Sequence, residues 1–372
     1  MKGLAITSKG IESTAATEIK ELIGSNCKIE ESCVIFDIKK LSDLCLLCYK
    51  SQSADRVMHL VGSFSFNNFF DDLESFIKKI EFDNWIIKLK KFKVECIRTG
   101  SHDFKSTDAE KKFTEIMDKK GFRLDNFYYK IIFLIYIIDE KCHIGIDFAG
   151  FELNKRSYKV YLHPDSCRGT IAYALLRESG FKKNEVLLDS FSRDGVIPIE
   201  AALYASNFPC NHYKKDKFAF LRLNLGFDAG KFFSAIDKKI KKNKPKIYSY
   251  DHLFKYVDYS RKNSKIAGVE KQINFSRTEL EWLDIKFKKE SVDRIVTRLP
   301  ESKNTNIEKI YNEFFYQSEY ILKSKGTIAL ISRIPNTVKQ HAVKHNFTIA
   351  EEKSVWSGSE ELKLLLIKKK SI

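Results

Sequence analysis

The stretch DSFSRDGVIPIE, residues 189–200, follows the apolar run Val186–Leu188, where a ligand-binding strand-to-helix turn would sit. It carries one glycine, Gly195, in a place where such turns use several to let backbone approach a ligand. Asp189 ends that apolar run, Asp251 ends the next (KIYSYD), and Glu279 closes a third (INFSRTE). A carboxylate at the end of the second strand can accept both hydroxyls of a ribose, and the next acid can receive an adenine amino group. A single acid there is as well explained as a helix N-cap. Three at successive strand ends point to an adenosyl ligand.

A second cluster is basic. Lys90, Lys91, Lys93, Arg98, His102 and Lys105 gather around one expected strand and its following loop, with Phe92 and Phe104 between them. Such a mixture suits phosphate contacts beside a stacking surface for an unpaired base. The plainer alternative is that the two rings are core and the lysines only solubilise. Two metal-like spacings are weak. Cys45 and Cys48 lie inside an apolar helical pattern with no second pair. His341 and His345 lack the glutamate of a zinc-binding HExxH helix and read as solvated or capping residues. No metal site is expected.

These groups need elements to hold them. The chain has 372 residues, 43% apolar and 31% charged, enough for two or three domains. Sixty-five Lys and Arg against 49 Asp and Glu leave a charge of +16, which favours an anionic partner, nucleic acid before a membrane surface. The longest apolar run, IIFLIYII at Ile131–Ile138, is too short to span a bilayer and reads as a buried strand. No secretory leader is evident at the N-terminus, so a cytoplasmic protein with reduced cysteines is expected. Residues 1–61 read as a small α+β unit and residues 62–152 as a second one, in which Thr107 and Glu110 form a capping box. A connector over 153–167 leads to residues 168–372, where strands and helices alternate as in a doubly wound parallel sheet. The lysine-rich DKKIKKNKPK before Ile247 reads as a solvated loop with a secondary capacity for phosphate.

The chain as a whole resembles the THUMP-containing RNA methyltransferases, and most nearly the branch that methylates N2 of a guanine in the tRNA acceptor stem. CIRTGSHDFKSTDAEKKF, YLHPDSCRGTIAYALL, LLDSFSRDGVIPIEAAL and RKNSKIAGVEKQINF carry the likeness in collinear order. The resemblance implies an N-terminal ferredoxin-like domain, a THUMP domain holding the tRNA acceptor end through Lys91, Lys93, Arg98, His102, Phe104 and Lys105, and a Rossmann-like domain. The cofactor it implies is S-adenosylmethionine, held by Asp189, Ser192, Arg193, Gly195, Asp251 and Glu279.

The likeness breaks where chemistry happens. The family's cofactor loop reads approximately D-P-x-C-G-S-G-T, and Arg193 stands at its first glycine. Its substrate turn reads N-P-P-Y or N-L-P-Y, and here it is Arg298, Leu299, Pro300 and Glu301. Arginine has no acceptor with which to orient an amine, and glutamate cannot stack on a base as tyrosine does. Three readings stay open: a tRNA-binding descendant without methyl transfer and without cofactor, acting as chaperone, decoy or partner subunit; an active guanine-N2 methyltransferase with an altered site, or with missing groups supplied by a protein partner; and an enzyme on another RNA or with another ligand that uses Arg193, Arg298 and Glu301 anew.

Overall fold

The computed structural model describes residues 1–241, 245–302 and 306–370. In chain order its elements are β1 (Lys2–Ile6), α1 (Glu12–Ile23), β2 (Cys27–Glu30), β3 (Cys33–Asp37), α2 (Leu41–Lys50), β4 (Arg56–Ser65), α3 (Phe69–Lys79), α4 (Asn84–Ile87), β5 (Lys91–Thr99), α5 (Ser106–Lys119), β6 (Arg123–Leu124), β7 (Ile131–Ile138) and β8 (Lys141–Asp147). There follow α6 (Gly169–Glu178), β9 (Leu187–Asp189), α7 (Val196–Ser206), α8 (Ala229–Asp237), β10 (Ile247–Asp251), α9 (Phe254–Ala267), β11 (Ile273–Arg277), α10 (Leu283–Lys286), β12 (Val292–Thr297), α11 (Ile307–Ile321), β13 (Leu322–Ser332), α12 (Pro335–Lys344), β14 (Phe347–Ser357) and β15 (Glu360–Lys369). None of the described helices is long and apolar enough to cross a membrane.

The chain divides into two compact units. The first comprises Met1–Thr7, Ala15–Leu153 and Tyr213–Phe233. It is built on one eight-stranded sheet, β2-β3-β1-β4-β8-β7-β5-β6. The boundary expected at residues 61 and 62 falls inside β4, which pairs with β1 on one side and β8 on the other. Two short α+β patterns therefore share a sheet, because β4 is ten residues long and has a partner on each edge. The run IIFLIYII is β7, buried at every position between β5 and β8. Helix α5 begins one residue before the expected cap: Asp108 accepts from the Lys105 amide at 2.8 Å, and Glu110 turns away to accept from Cys96 N of β5.

The second unit holds Ser8–Thr14, Asn154–His212 and the described part of Ser234–Ile372. Two corrections to the expected division follow. Residues 153–167 are no free connector, since Arg156 and Tyr158 both reach buried Glu200 of α7 at 2.7 Å and Asn263 of α9 bonds the Tyr161 carbonyl. Segment Tyr213–Phe233, expected among residues 168–372, belongs to the first unit, where Ala219 and Phe220 donate backbone hydrogen bonds to Ala149 and Phe148.

The second sheet has the order β11-β10-β9-β12-β13-β15-β14, parallel through β13 and closed by the antiparallel pairs β13–β15 and β15–β14. Its central strands place apolar residues on both faces because both are covered. Leu187, Val296 and Ala329 enter one core with Ile171 and Ile199, whereas Leu188, Ile295 and Ile328 enter the other with Phe314 and Phe315. Strand order reverses beside β9. The carboxyl ends of β9, β10 and β12 therefore open a crevice at the switch point, which is where ligands bind in such sheets.

Candidate functional site at the carboxyl ends of the parallel strands

Parallel pairing brings Asp189 of β9, Asp251 of β10 and Thr297 of β12 to one edge. Thr297 Oγ1 donates to Asp189 Oδ1 at 2.6 Å, and the Phe191 amide reaches the same oxygen at 3.3 Å. Burial pushes the Asp189 carboxyl up to about 7, against the opposing pull of the Thr297 bond. Asp251 accepts from Arg193 N at 3.1 Å and Leu253 N at 3.0 Å, so each of its oxygens ties a turn, and burial raises its pKa too. Ser192 donates both its amide and its hydroxyl to the Tyr250 carbonyl.

The turn between β9 and α7 keeps the backbone of a glycine-rich loop. Arg193 has φ +50° and Gly195 has φ +81°. Gly195 is obligatory on two counts, because a Cβ there would lie 2.1 Å from Ser260 Oγ and 2.8 Å from Ser260 Cβ. Arg193 occupies a glycine-like conformation with a long side chain attached.

That side chain is 7% exposed and donates to the Leu299 carbonyl at 3.2 Å. Arg298, 5% exposed, donates to the Asp165 carbonyl at 3.2 Å and faces Glu301 at 3.7 Å. Burial and then the Arg298 charge lower the pKa of Arg193. Glu301 accepts from Ser332 Oγ at 2.6 Å and Arg333 N at 2.9 Å, while the Pro300 carbonyl accepts from Tyr311. Among the described residues, the buried atoms without a hydrogen-bond partner include Ser190 Oγ, Asp194 Oδ2, Arg298 Nη2 and Glu301 Oε2 at this site. His163, beside this cluster, is held down to about 4 by burial and next by Arg193.

Asp189, Ser192, Arg193, Asp194 and Arg298 enclose, with Asp165 and Ser166, a cavity of ≈ 20 Å³. That is room for about one water, where pockets for nucleoside-sized ligands are roughly 300 Å³ or more. Arg193 and Arg298 both line this cavity, and with their side chains so placed it is too small for an adenosyl group. Glu279 lies just past the end of β11, where Arg277 is in register with Asp251 and the Thr278 amide donates to Asp251 O; it is half-buried, pairs with Arg277 at 3.6 Å and does not line the cavity. Asp165 and Ser166 were not expected, although the polar His163–Ser166 stretch just before α6 is a signal that could have found them.

The expected RNA-contact residues lie in the first unit and are only partly arranged as the sequence suggests. Lys91 pairs with Asp125 at 3.0 Å, Lys93 pairs with Glu95 at 2.9 Å, and His102 bonds the Asp139 carbonyl. Phe104 and Phe92 are buried, Phe104 stacked on Phe69 at 4.5 Å, so neither is a free stacking surface. Their apolar area is satisfied by a phenylalanine-rich core. Arg98 lies over the Phe104 ring, and Lys105 precedes α5. Cys45 and Cys48 are buried on α2, and His341, read as a solvated or capping residue, is buried against Asn312. Glu30, Cys33 and His143 bring three ligand-type atoms within 4.8 Å, with Lys28 and Lys141 paired to Glu30. Within the lysine-rich run before Ile247, Lys242, Asn243 and Lys244 lie outside the described residues.

The sequence profile of the RMKL-like methyltransferase domain, UPF0020, matches residues 156–363. The chain is 28% identical over 368 residues to a tRNA (guanine(6)-N2)-methyltransferase of Methanocaldococcus jannaschii, covering 94% of this chain and 95% of that one. It is 24% identical to the protein of that name from Archaeoglobus fulgidus, covering 97% and 91%. Among solved structures, TrmN from Thermus thermophilus superposes with a TM-score of 0.72 at 19% identity, over 99% of each chain. SMU.472, solved with SAH, superposes with a TM-score of 0.79 at 17% identity, over 100% and 98%. These two show the fold. By its strand order and by a profile match over more than half its length, the chain belongs to the family of RMKL-like methyltransferase domains.

Proposed function

We propose that this protein holds tRNA, at its acceptor end, without transferring a methyl group. The observation that carries the reading is the crevice filled by Arg193 and Arg298, which leaves ≈ 20 Å³ at the switch point. The charge of +16 supports an RNA ligand, and relatives named for tRNA methylation support tRNA among RNAs. In this reading the protein is cytoplasmic, and the lysines and arginines of its first unit make contacts mainly to phosphate. Binding then weakens steeply with salt.

The test is titration calorimetry of the full chain with S-adenosylhomocysteine, and with bulk tRNA at two salt concentrations. The expected result is no detectable heat with the nucleoside and salt-sensitive binding of tRNA. Micromolar nucleoside binding would overturn the closed-crevice reading.

A second reading, an active guanine-N2 methyltransferase, is favoured by one observation: the turn after β9 retains glycine-type φ values at Arg193 and Gly195, and Asp189 and Asp251 retain their strand-end places. It requires both arginines to leave the crevice. Arg298→Asn alone is expected to leave methylation of bulk tRNA undetectable, since Arg193 and Glu301 remain. A gain of methyl incorporation in that single variant would favour the second reading.

A further inference from the structure

The first unit carries a second aromatic and basic surface, at the opposite end of β5 from the loop that holds His102 and Phe104. Strand β5 starts at Lys91 and ends at Thr99, so its ends are about 26 Å apart at the rise of an extended strand. At the Lys91 end, residues 125–130 connect β6 to β7. Both ends of this loop are pinned to β5: the Asp125 amide donates to Phe92 O at 2.8 Å, and the Lys130 amide donates to Lys91 O at 2.9 Å. Inside it, Asp125 Oδ1 accepts from the amides of Phe127 and Tyr128 at 3.1 and 2.8 Å, closing an Asx turn.

The turn presents Phe127 and Tyr128 to solvent at 89% and 77% exposure. Rings so exposed at adjacent positions are unusual, since burying an aromatic side chain is one of the larger gains a fold can make. Cations surround them. Lys91 lies 5.9 Å from the Tyr128 ring, while Lys93 and Arg222 lie 6.0 and 4.6 Å from the Tyr129 ring. Arg123 and Lys130 are exposed on the same loop and strand. Asp125 and Glu95 offset two of these charges through Lys91 and Lys93, leaving a cationic excess.

We infer that the loop at residues 125–130 is a stacking platform for unpaired nucleotides of RNA. Phe127 and Tyr128 supply π-faces for bases, and Lys91, Lys93, Arg123, Lys130 and Arg222 supply charge for the phosphates between them. The Asx turn holds the rings in place before binding, so little ordering is needed when the strand arrives. The inference rests on the RNA-holding reading above, and it moves the stacking role from buried Phe104 to two residues that are open to solvent.

The test is fluorescence anisotropy of the full chain with a labelled single-stranded RNA of roughly 12 nucleotides, and with tRNA. The variants are Phe127→Ala with Tyr128→Ala, Tyr128→Phe, and Lys130→Ala, each checked for an unchanged thermal melt. Stacking contributes about 1–3 kcal/mol per base, so the double variant is expected to bind the single strand at least tenfold more weakly. Tyr128→Phe is expected to keep wild-type affinity, because a ring is retained. Lys130→Ala is expected to reduce the slope of log affinity against log salt by about one.

Wild-type and double-variant proteins that bind equally tightly would overturn the platform and leave the RNA-holding reading standing. A wild type that binds neither RNA would overturn both. Self-association of the wild type that vanishes in the double variant, with RNA affinity unchanged, would assign the rings to a second copy of this chain and overturn the inference.

Discussion

The crevice at the ends of β9 and β12 and the loop at residues 125–130 are both rich in arginine or lysine, and they put that charge to opposite uses. In the crevice, Arg193 and Arg298 are 7% and 5% exposed; they donate to Leu299 O and Asp165 O, and Arg298 faces Glu301 at 3.7 Å without a hydrogen bond. At the loop, Lys130 and Arg123 face solvent beside two bare rings. Basic charge attracts an anion only where water can be exchanged for it; buried, it is spent on neighbouring carbonyls and carboxylates. A count of lysines and arginines cannot separate the two cases. Burial does.

The sharpest way to break the comparison is to ask whether the crevice is as dry as its cavity implies. Asp189 is nearly fully buried and its carboxyl is pushed up to about 7, from an ordinary value near 3.8. Below the ordinary value both folded and unfolded chains carry the proton, and the group has no effect on stability. As pH rises from about 4 to 7 the unfolded chain ionises first, so stability falls, and above 7 the loss is constant. A carboxyl moved from near 3.8 to about 7 corresponds to about 4 kcal/mol at most. Asp189→Asn keeps an acceptor for Thr297 Oγ1 and the Phe191 amide. It is expected to raise the melting temperature strongly at pH 8 and hardly at pH 4. An equal effect at both pH values would mean that Asp189 is hydrated and the crevice open.

Next in size is Gly195. The Ser260 hydroxyl could rotate from an added Cβ, but Ser260 Cβ and Cα, at 2.8 and 2.9 Å, could not. Overpacking and a left-handed alanine together are expected to cost roughly 2–4 kcal/mol in Gly195→Ala, measured by urea unfolding. A loss below 1 kcal/mol, within the range of ordinary surface substitutions, would show that the turn and α9 can separate, and with them the wall of the closed crevice.

How much of this was legible in sequence depends on where each signal resides. The parallel strands were readable because apolar runs such as Val186–Leu188 and Thr327–Ile331 are buried on both faces, which is a local property. Asp189 and Asp251 were readable because each ends such a run. Pairing partners are not local: nothing in RVMHLVGSFS states that β4 joins two halves into one sheet, nor that Tyr213–Phe233 leaves the second unit for the first. The β14–β15 hairpin was missed although Gly358 marks its turn, because one face of β14 is polar and its apolar positions are sparse. Phe104 misled for a related reason. An aromatic among lysines looks exposed until the four-phenylalanine cluster of Phe66, Phe69, Phe70 and Phe104 is assembled from two separate segments.

The smallest expected effect bears most directly on the origin of the closed crevice. Arg193 stands where the resembling family carries a glycine, and its φ of +50° is a conformation that glycine adopts without penalty and other residues adopt at a cost of about 1 kcal/mol. Arg193→Gly and Arg193→Ala remove the same guanidinium, the same hydrogen bond to Leu299 O and the same repulsion with Arg298. They differ only in the methyl group that resists a left-handed backbone. The glycine variant should therefore be the more stable of the two by about 1 kcal/mol, less the entropy that glycine gains in the unfolded chain, which pulls the other way. Equal unfolding midpoints, or a more stable alanine variant, would mean that the backbone relaxes once the arginine is gone. The glycine-type turn would then be a product of Arg193 and its partners, and not an inheritance that the arginine has come to fill.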